Sequence, residues 1–235
     1  MNTFLHAEWR KLVLANYPVE RKLLEKYIPR RTELDLWNKT CYVSLVGFLF
    51  CNTKLKGLKI PFHGNFEEVN LRFYVRSKEN GKWKRGVVFI KEIVPKPAIS
   101  FIANTVYKEN YETMRMSHSW ITAADTLTVQ YRWKKNRWNT IKVISERKAK
   151  LIRSGSEEEF ITEHYWGYTK ISSEKTSEYK VEHPAWVVYM IKDYLIEVDF
   201  GDVYGPDFKF LTSEKPASVF LAEGSAVQVK NGRRI

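Results

Sequence analysis

Residues 67–76 read Glu-Glu-Val-Asn-Leu-Arg-Phe-Tyr-Val-Arg. Val69, Leu71, Phe73 and Val75 alternate with Glu68, Asn70, Arg72 and Tyr74, the period of two that side chains follow on a β-strand. One face is apolar and has to be buried. The other is polar: it either meets water or lines an interior cavity. Asn80-Gly81, just downstream, is a two-residue hairpin turn into the apolar run KRGVVFIKEIV at 84–94.

Outward from this hairpin, strand signals recur. Segment 40–50 (TCYVSLVGFLF) is rich in β-branched and aromatic residues. Segments 125–133 and 138–148 flank Lys135-Asn136 as a second hairpin. Segments 160–170 and 178–182 flank a polar turn, followed by strands at 186–200 and 217–229. The stretch 16–29 (NYPVERKLLEKYIP) reads as a helix, with Pro18 at its first position, Val19, Leu23, Leu24 and Tyr27 on one face, and Pro29 at its end. Segment 98–116 fits a helix or two short segments. About ten or more strands and two to four short helices result, a mainly β (β-rich α+β) chain that closes into a barrel or stacks as a sandwich. The 14% aromatic content agrees with this. No linker or repeat divides the sequence, so 1–235 is expected to form a single domain.

The net charge is +12. It is spread over short runs, as on a lysine-rich solvated surface. Tyr131, Trp133 and Trp138 lie among cations in a way that could stack on bases, but a two-stranded hairpin with aromatics on one face is the more common explanation and nucleic acid is not favoured. The first ten residues lack a signal-peptide core, and no window approaches the ~20 apolar residues of a membrane span. The expectations are a cytoplasmic protein with Cys41 and Cys51 reduced and no membrane partner. A homodimer is left open.

Four stretches carry a family likeness. They are Trp9-Arg10 with the segment ELDLWNKTCYVSLVGF, then Phe66 to Val75, then Phe160-Ile161-Thr162-Glu163-His164-Tyr165, and finally His183-Pro184-Ala185-Trp186. In this order they resemble the DUF2071 (YqjF-like) family, grouped with the acetoacetate decarboxylase-like proteins. The resemblance implies a large, cone-like antiparallel β-barrel with a central cavity. His164 stands where the family's T-E-R-Y carries arginine, which replaces a permanent cation with a titratable ring.

The related decarboxylases form a Schiff base on a lysine of a Tyr-Pro-Lys-Lys motif, and that lysine must be neutral to attack. Here Tyr107 is followed by Lys108 alone and then by Glu109. Lys108 is expected to be exposed and salt-bridged to Glu109 or Glu112, which makes decarboxylase chemistry doubtful. The resemblance also places Glu68 near the decarboxylases' acidic residue and Arg10 near their substrate-side arginine. Candidate lining residues for a small organic acid or carbonyl ligand are therefore Arg10, Glu68, Asn70, Arg72, Tyr107 and His183. No catalytic residue is fixed; the candidates are Glu68, Lys108 and His183, the histidine as a general acid or base or as a structural donor. The five histidines show no metal-ligand spacing, and no phosphate loop or nucleophile elbow is present, so no metal or cofactor is expected. The competing reading is a non-enzymatic domain in which the same polar set is a structural network.

Overall fold

The structure is a computed structural model that describes residues 2–235, apart from the side chain of Tyr107. In chain order its strands are β1 (Thr3–Val19), β2 (Glu33–Leu34), β3 (Cys41–Leu55), β4 (Leu58–Lys59), β5 (Phe66–Glu79), β6 (Lys82–Val94), β7 (Tyr111–Thr113), β8 (Arg115–Thr122), β9 (Thr126–Lys134), β10 (Trp138–Leu151), β11 (Trp166–Lys170), β12 (Thr176–Glu182), β13 (Val187–Glu197), β14 (Ser218–Lys230) and β15 (Arg233–Arg234). Four short α-helices interrupt them: α1 (Arg21–Leu24), α2 (Pro97–Ile102), α3 (Glu157–Thr162) and α4 (Phe200–Tyr204).

The pairing runs β12-β11-β6-β5-β3-β1-β14, and β14 then pairs back onto β12 through Val181↔Val229 and Glu182↔Gln228. These strands form a closed ring, mostly antiparallel, with β11 joining β6 in parallel. The other half of β14 pairs with β13, which continues as a wing β13-β10-β9-β8. The alternation in β5 divides the interior in two. Val69, Leu71, Phe73 and Val75 face a core shared with the wing, beside Val129, Tyr131, Trp133, Ile141 and Val143. Phe66 and Tyr74 face the ring interior with Leu12, Leu14, Val46, Phe48, Phe50 and Phe160.

Two bulges shift this alternation. In β1, Lys11 has φ 53°, and the register with β3 slips between Arg10 and Val13. Leu12 and Leu14 thereby share the ring interior with Ala7, whereas unbroken alternation from Ala7 would turn them outward. In β6, the register with β5 passes from Leu71↔Lys91 to Arg72↔Phe89, leaving Ile90 as the extra residue.

Three sequence expectations need correcting. The predicted helix at 16–29 begins at Arg21, because residues 16–19 complete β1, where Pro18 sits opposite Tyr42 of β3. The β14 ladder has already ended at Asn16↔Ser218, so on that side no N–H is needed at residue 18. The predicted strand at 160–170 begins only at Trp166. Residues 157–162 are α3, capped by the Ser156 side chain accepting from Glu159 N at 3.3 Å, with Glu157, Glu158 and Glu159 in the first turn. Residues 98–116 resolve into α2, a π-turn at Ala103–Tyr107, and strands β7 and β8. Cys41 and Cys51 are both free; ten residues apart on one extended strand, they stand ~33 Å apart.

Candidate functional site

The ring encloses a cavity of about 210 Å³. Its walls are largely aromatic and aliphatic: Trp9, Leu12, Phe48, Phe50, Phe66, Val87 and Phe89 all line it. One end is polar. There β5 contributes Glu68, Asn70 and Arg72, and β6 contributes Glu92. Glu109 and Tyr111 come from the segment after the π-turn, His164 from the turn after α3, and Tyr179 from β12.

The β6 bulge decides the chemistry of this end. Unbroken alternation from Val87 and Phe89 would turn Lys91 inward. The extra residue Ile90 turns Glu92 in instead. Lys91 goes to the opposite face, where its Nζ donates to Glu112 at 2.7 Å and to the Val203 carbonyl at 2.6 Å.

Glu68 is buried and accepts from Asn70 Nδ2 and from the Tyr111 hydroxyl, both at 3.0 Å. Glu109 is buried and accepts from Thr169 Oγ1 at 2.7 Å, with the Tyr179 hydroxyl also bonded to it. Burial is the main cause that raises the pKa of Glu68 to about 7, against the pull of its hydrogen bonds and of Arg72. Glu109 also rises to about 7, through burial first and with Glu68 adding to it. Glu92 is held well above the usual carboxylate range by burial and by repulsion from Glu109 and Glu68. Three carboxyls facing one apolar cavity cannot all be ionised, so they share protons near neutral pH.

Arg72 donates to the Ile161 carbonyl at 3.3 Å, and its Nε has no hydrogen-bond partner. Among the described lining residues it is the one permanent cation. His164 lies against Tyr74 and Phe160, and its Nε2 bonds Asp35, which also accepts from Arg85. Burial lowers the His164 pKa to about 4, so at neutral pH the ring is neutral.

Of the residues singled out in the sequence, Glu68, Asn70 and Arg72 come together on the cavity. Arg10 does not join them: it sits on the face of β1 opposite Trp9, where Glu8 accepts its Nε at 2.9 Å and Glu223 lies at 3.9 Å. His183 lies behind the wall, stacked on Trp186 at 4.3 Å between ring centroids, with Nδ1 bonded to the Pro184 carbonyl. Lys108 is exposed at the left-handed end of the π-turn. The expected ion pairs of Lys108 with Glu109 or Glu112 are absent, because Glu109 turns into the cavity and Glu112 is held by Lys91 and Lys135. The Tyr107 side chain lies outside the described residues. No lysine is found among the described lining residues, and no described cluster of His, Cys, Asp or Glu is arranged to hold a metal.

Sequence reasoning missed Glu92, Glu109, Tyr111 and Tyr179. Glu92 carried the one usable signal, an acid inside an apolar run. Glu109 looked like a surface partner for Lys108.

A closed ring of mostly antiparallel strands is a fold shared with acetoacetate decarboxylase-like proteins of known structure. The whole chain superposes on acetoacetate decarboxylase from Legionella pneumophila, covering 88% of that chain, with a TM-score of 0.68 and 11% identity. It superposes likewise on the enduracididine biosynthesis enzyme MppR complexed with pyruvate (TM-score 0.66, 10% identity, 91% of that chain) and on an acetoacetate decarboxylase-like enzyme from Sphingomonas wittichii RW1 (0.63, 9%, 94%). At these identities the likeness is one of fold. Residues 6–226 match DUF2071, described as an uncharacterized conserved protein, and the chain belongs to that family. It is also 34% identical over 71 residues to the uncharacterized protein YqjF of Bacillus subtilis, a match spanning 30% of this chain and 29% of that relative's length.

Proposed function

We propose that the ring cavity binds a small organic acid or carbonyl compound, and that the glutamates at its polar end exchange protons with it. The observation that carries this reading is where the unsatisfied atoms lie. Ten buried side-chain polar atoms of the described residues lack a partner, and six of them (on Trp9, Thr53, Asn70, Arg72, Glu92 and His164) belong to residues that line this one cavity. Buried polar groups are ordinarily bonded, and each orphan costs ~1–3 kcal/mol, so their clustering beside one cavity supports a partner bound there.

The chemistry of the lining suggests what binds. Arg72 offers a planar donor fork to a carboxylate. Protonated Glu68, Glu92 or Tyr111 can donate to a carbonyl oxygen. A carboxyl that titrates near 7 can also give or take a proton at a carbon next to that carbonyl. The aromatic wall takes the apolar body of the ligand. Schiff-base chemistry does not fit, because the described lining holds no lysine.

The test is melting temperature against a panel of small organic acids that includes pyruvate and acetoacetate, repeated on Arg72→Lys and Glu68→Gln. At least one acid should raise the wild-type Tm, with about tenfold weaker binding to Arg72→Lys. Glu68→Gln should retain binding but lose solvent-deuterium exchange at the ligand's α-carbon, read by NMR. If every panel member leaves Tm unchanged, the cavity is not an acid-binding site. Binding with no exchange in the wild type would leave the non-enzymatic reading.

A further inference from the structure

Three stretches frame the open end of the cavity: residues 2–6, 52–65 and 96–108. Phe4 and Leu5 line it from the first, Thr53, Leu55, Ile60 and His63 from the second, and Ala98, Ile99, Ile102 and Ala103 from the third. Apolar side chains project from this rim into solvent. Phe62 is 90% exposed, Phe101 72%, Leu58 70% and Val106 58%, with Ile60 and Ile102 also exposed. These make up six of the fourteen exposed large apolar side chains among the described residues. Scattered singly they would need no explanation, but gathered around one opening they mark a surface that meets an apolar partner.

The rim stretches are themselves basic, although Glu8 bonds Asn52 at 2.8 Å and Glu67 lies near Lys96 at their edge. The three stretches carry Lys54, Lys56, Lys59, Lys96 and Lys108, and none of the chain's 27 acidic residues. The loop that presents Phe62 is built rather than slack. A tight turn at Lys56-Gly57 (φ 48° and 84°) pairs Leu58 and Lys59 with Leu55 and Lys54. Thr53 N bonds the Gly64 carbonyl at 2.9 Å, and His63 N bonds that of Ile60 at 3.1 Å. Phe62 itself is held at φ 62°, a left-handed conformation unfavourable for a bulky residue, with its ring directed into water.

We infer that this rim docks on the surface of an anionic lipid bilayer, inserting Phe62, Leu58, Phe101 and Val106 while the five lysines meet lipid headgroups. A bilayer supplies both halves of the match at once, hydrocarbon for the rings and negative charge for the lysines. A second copy of the chain supplies the first but sets one basic rim against another. That no helix among the described residues is long and apolar enough to cross a membrane is no obstacle, because interfacial binding needs only shallow insertion. The cavity then opens toward the lipid, so a ligand with an apolar body reaches the polar end without crossing water. That consequence rests on the proposed cavity function; the docking does not.

The test is co-sedimentation with vesicles of phosphatidylcholine alone and of phosphatidylcholine with about 30% phosphatidylglycerol, without any cavity ligand. The wild type should sediment with the anionic vesicles and stay in solution with the neutral ones. Phe62→Ser/Phe101→Ser and Lys56→Glu/Lys59→Glu should each weaken partitioning about tenfold or more, with an unchanged melting temperature showing that these exposed sites leave the fold intact. A wild type that ignores anionic vesicles overturns the inference. So does self-association that the phenylalanine changes abolish without any vesicle binding, which would make a second copy the occupant. Equally strong binding to a generic oligonucleotide, indifferent to the phenylalanine changes, would reduce the rim to charge alone.

Discussion

Glu68 and Glu109 each hold a proton more tightly in the folded chain than in the unfolded one, because the cavity removes water from the carboxylate and places other acids nearby. Between the ordinary carboxylate range and about 7 the native state therefore carries more protons than the unfolded state. Stability contributed by each carboxyl is present at low pH and lost as pH rises through its folded pKa. His164 acts in the opposite sense. Neutral when folded, it gains its proton only on unfolding as pH falls from 6.5 toward about 4, so its contribution is lost on acidification. Above pH 6.5 the histidine's share is no more than ~0.4 kcal/mol and the carboxyls dominate. Each should cost about 1 kcal/mol between there and about pH 8. In urea titrations at the two pH values, the doubly substituted Glu68→Gln/Glu109→Gln chain should lose the share of the fall that belongs to these two carboxyls and keep the share of Glu92, which burial also holds protonated. An equal fall in stability in the variant would mean that these two carboxyls are ionised throughout.

Strand bulges turn ordinary strands into a cavity with a defined lining. Opposite the β1 bulge stands Gly224 of β14, at φ 81°, and a Cβ there would lie 1.9 Å from the Trp9 carbonyl oxygen. Neither the dihedral angle nor the space admits a side chain. Gly224→Ala should destabilise the fold by about 2–4 kcal/mol, measured by denaturant unfolding, and should displace Trp9 from the cavity wall. A change below ~0.5 kcal/mol would show that the bulge relaxes freely. The same devices set how much of the site was legible in the sequence. Strict alternation in β5 was enough to put Glu68, Asn70 and Arg72 on one face, and that face lines the cavity. The Asn80-Gly81 turn was equally plain, since both residues adopt the positive φ that such a turn requires. Glu92 was hidden because one extra residue, Ile90, exchanges it with Lys91, and no local propensity marks that insertion. His164 was misplaced because Ser156 and the acidic turn after it start a helix inside a run that reads as a strand. The basic, apolar rim escaped notice because it assembles from three stretches far apart in sequence.

At the scale of the whole chain, two cores share the same strands. The ring interior and the core under the wing lie on opposite faces of β1, β3 and β5, so neither face can be left bare without exposing a row of apolar side chains. The wing cannot form a core alone. Leu127, Val129, Tyr131, Trp133, Ile141 and Val143 all point at the ring strands, while β13 leaves Met190, Tyr194 and Leu195 exposed to solvent. Ring and wing should therefore unfold as one cooperative unit despite their separate positions in the sheet order. Hydrogen exchange under rising denaturant tests this directly. Amides in β9 and β10 should lose protection at the same free energy as those in β5 and β6. Trp133→Ala, which empties a fully buried site in the shared core, should lower both together by about 3–5 kcal/mol. If the wing exchanged at a lower free energy in the wild type and Trp133→Ala affected only the wing, the ring would be the stable unit. Cavity chemistry would then survive without β8 to β10.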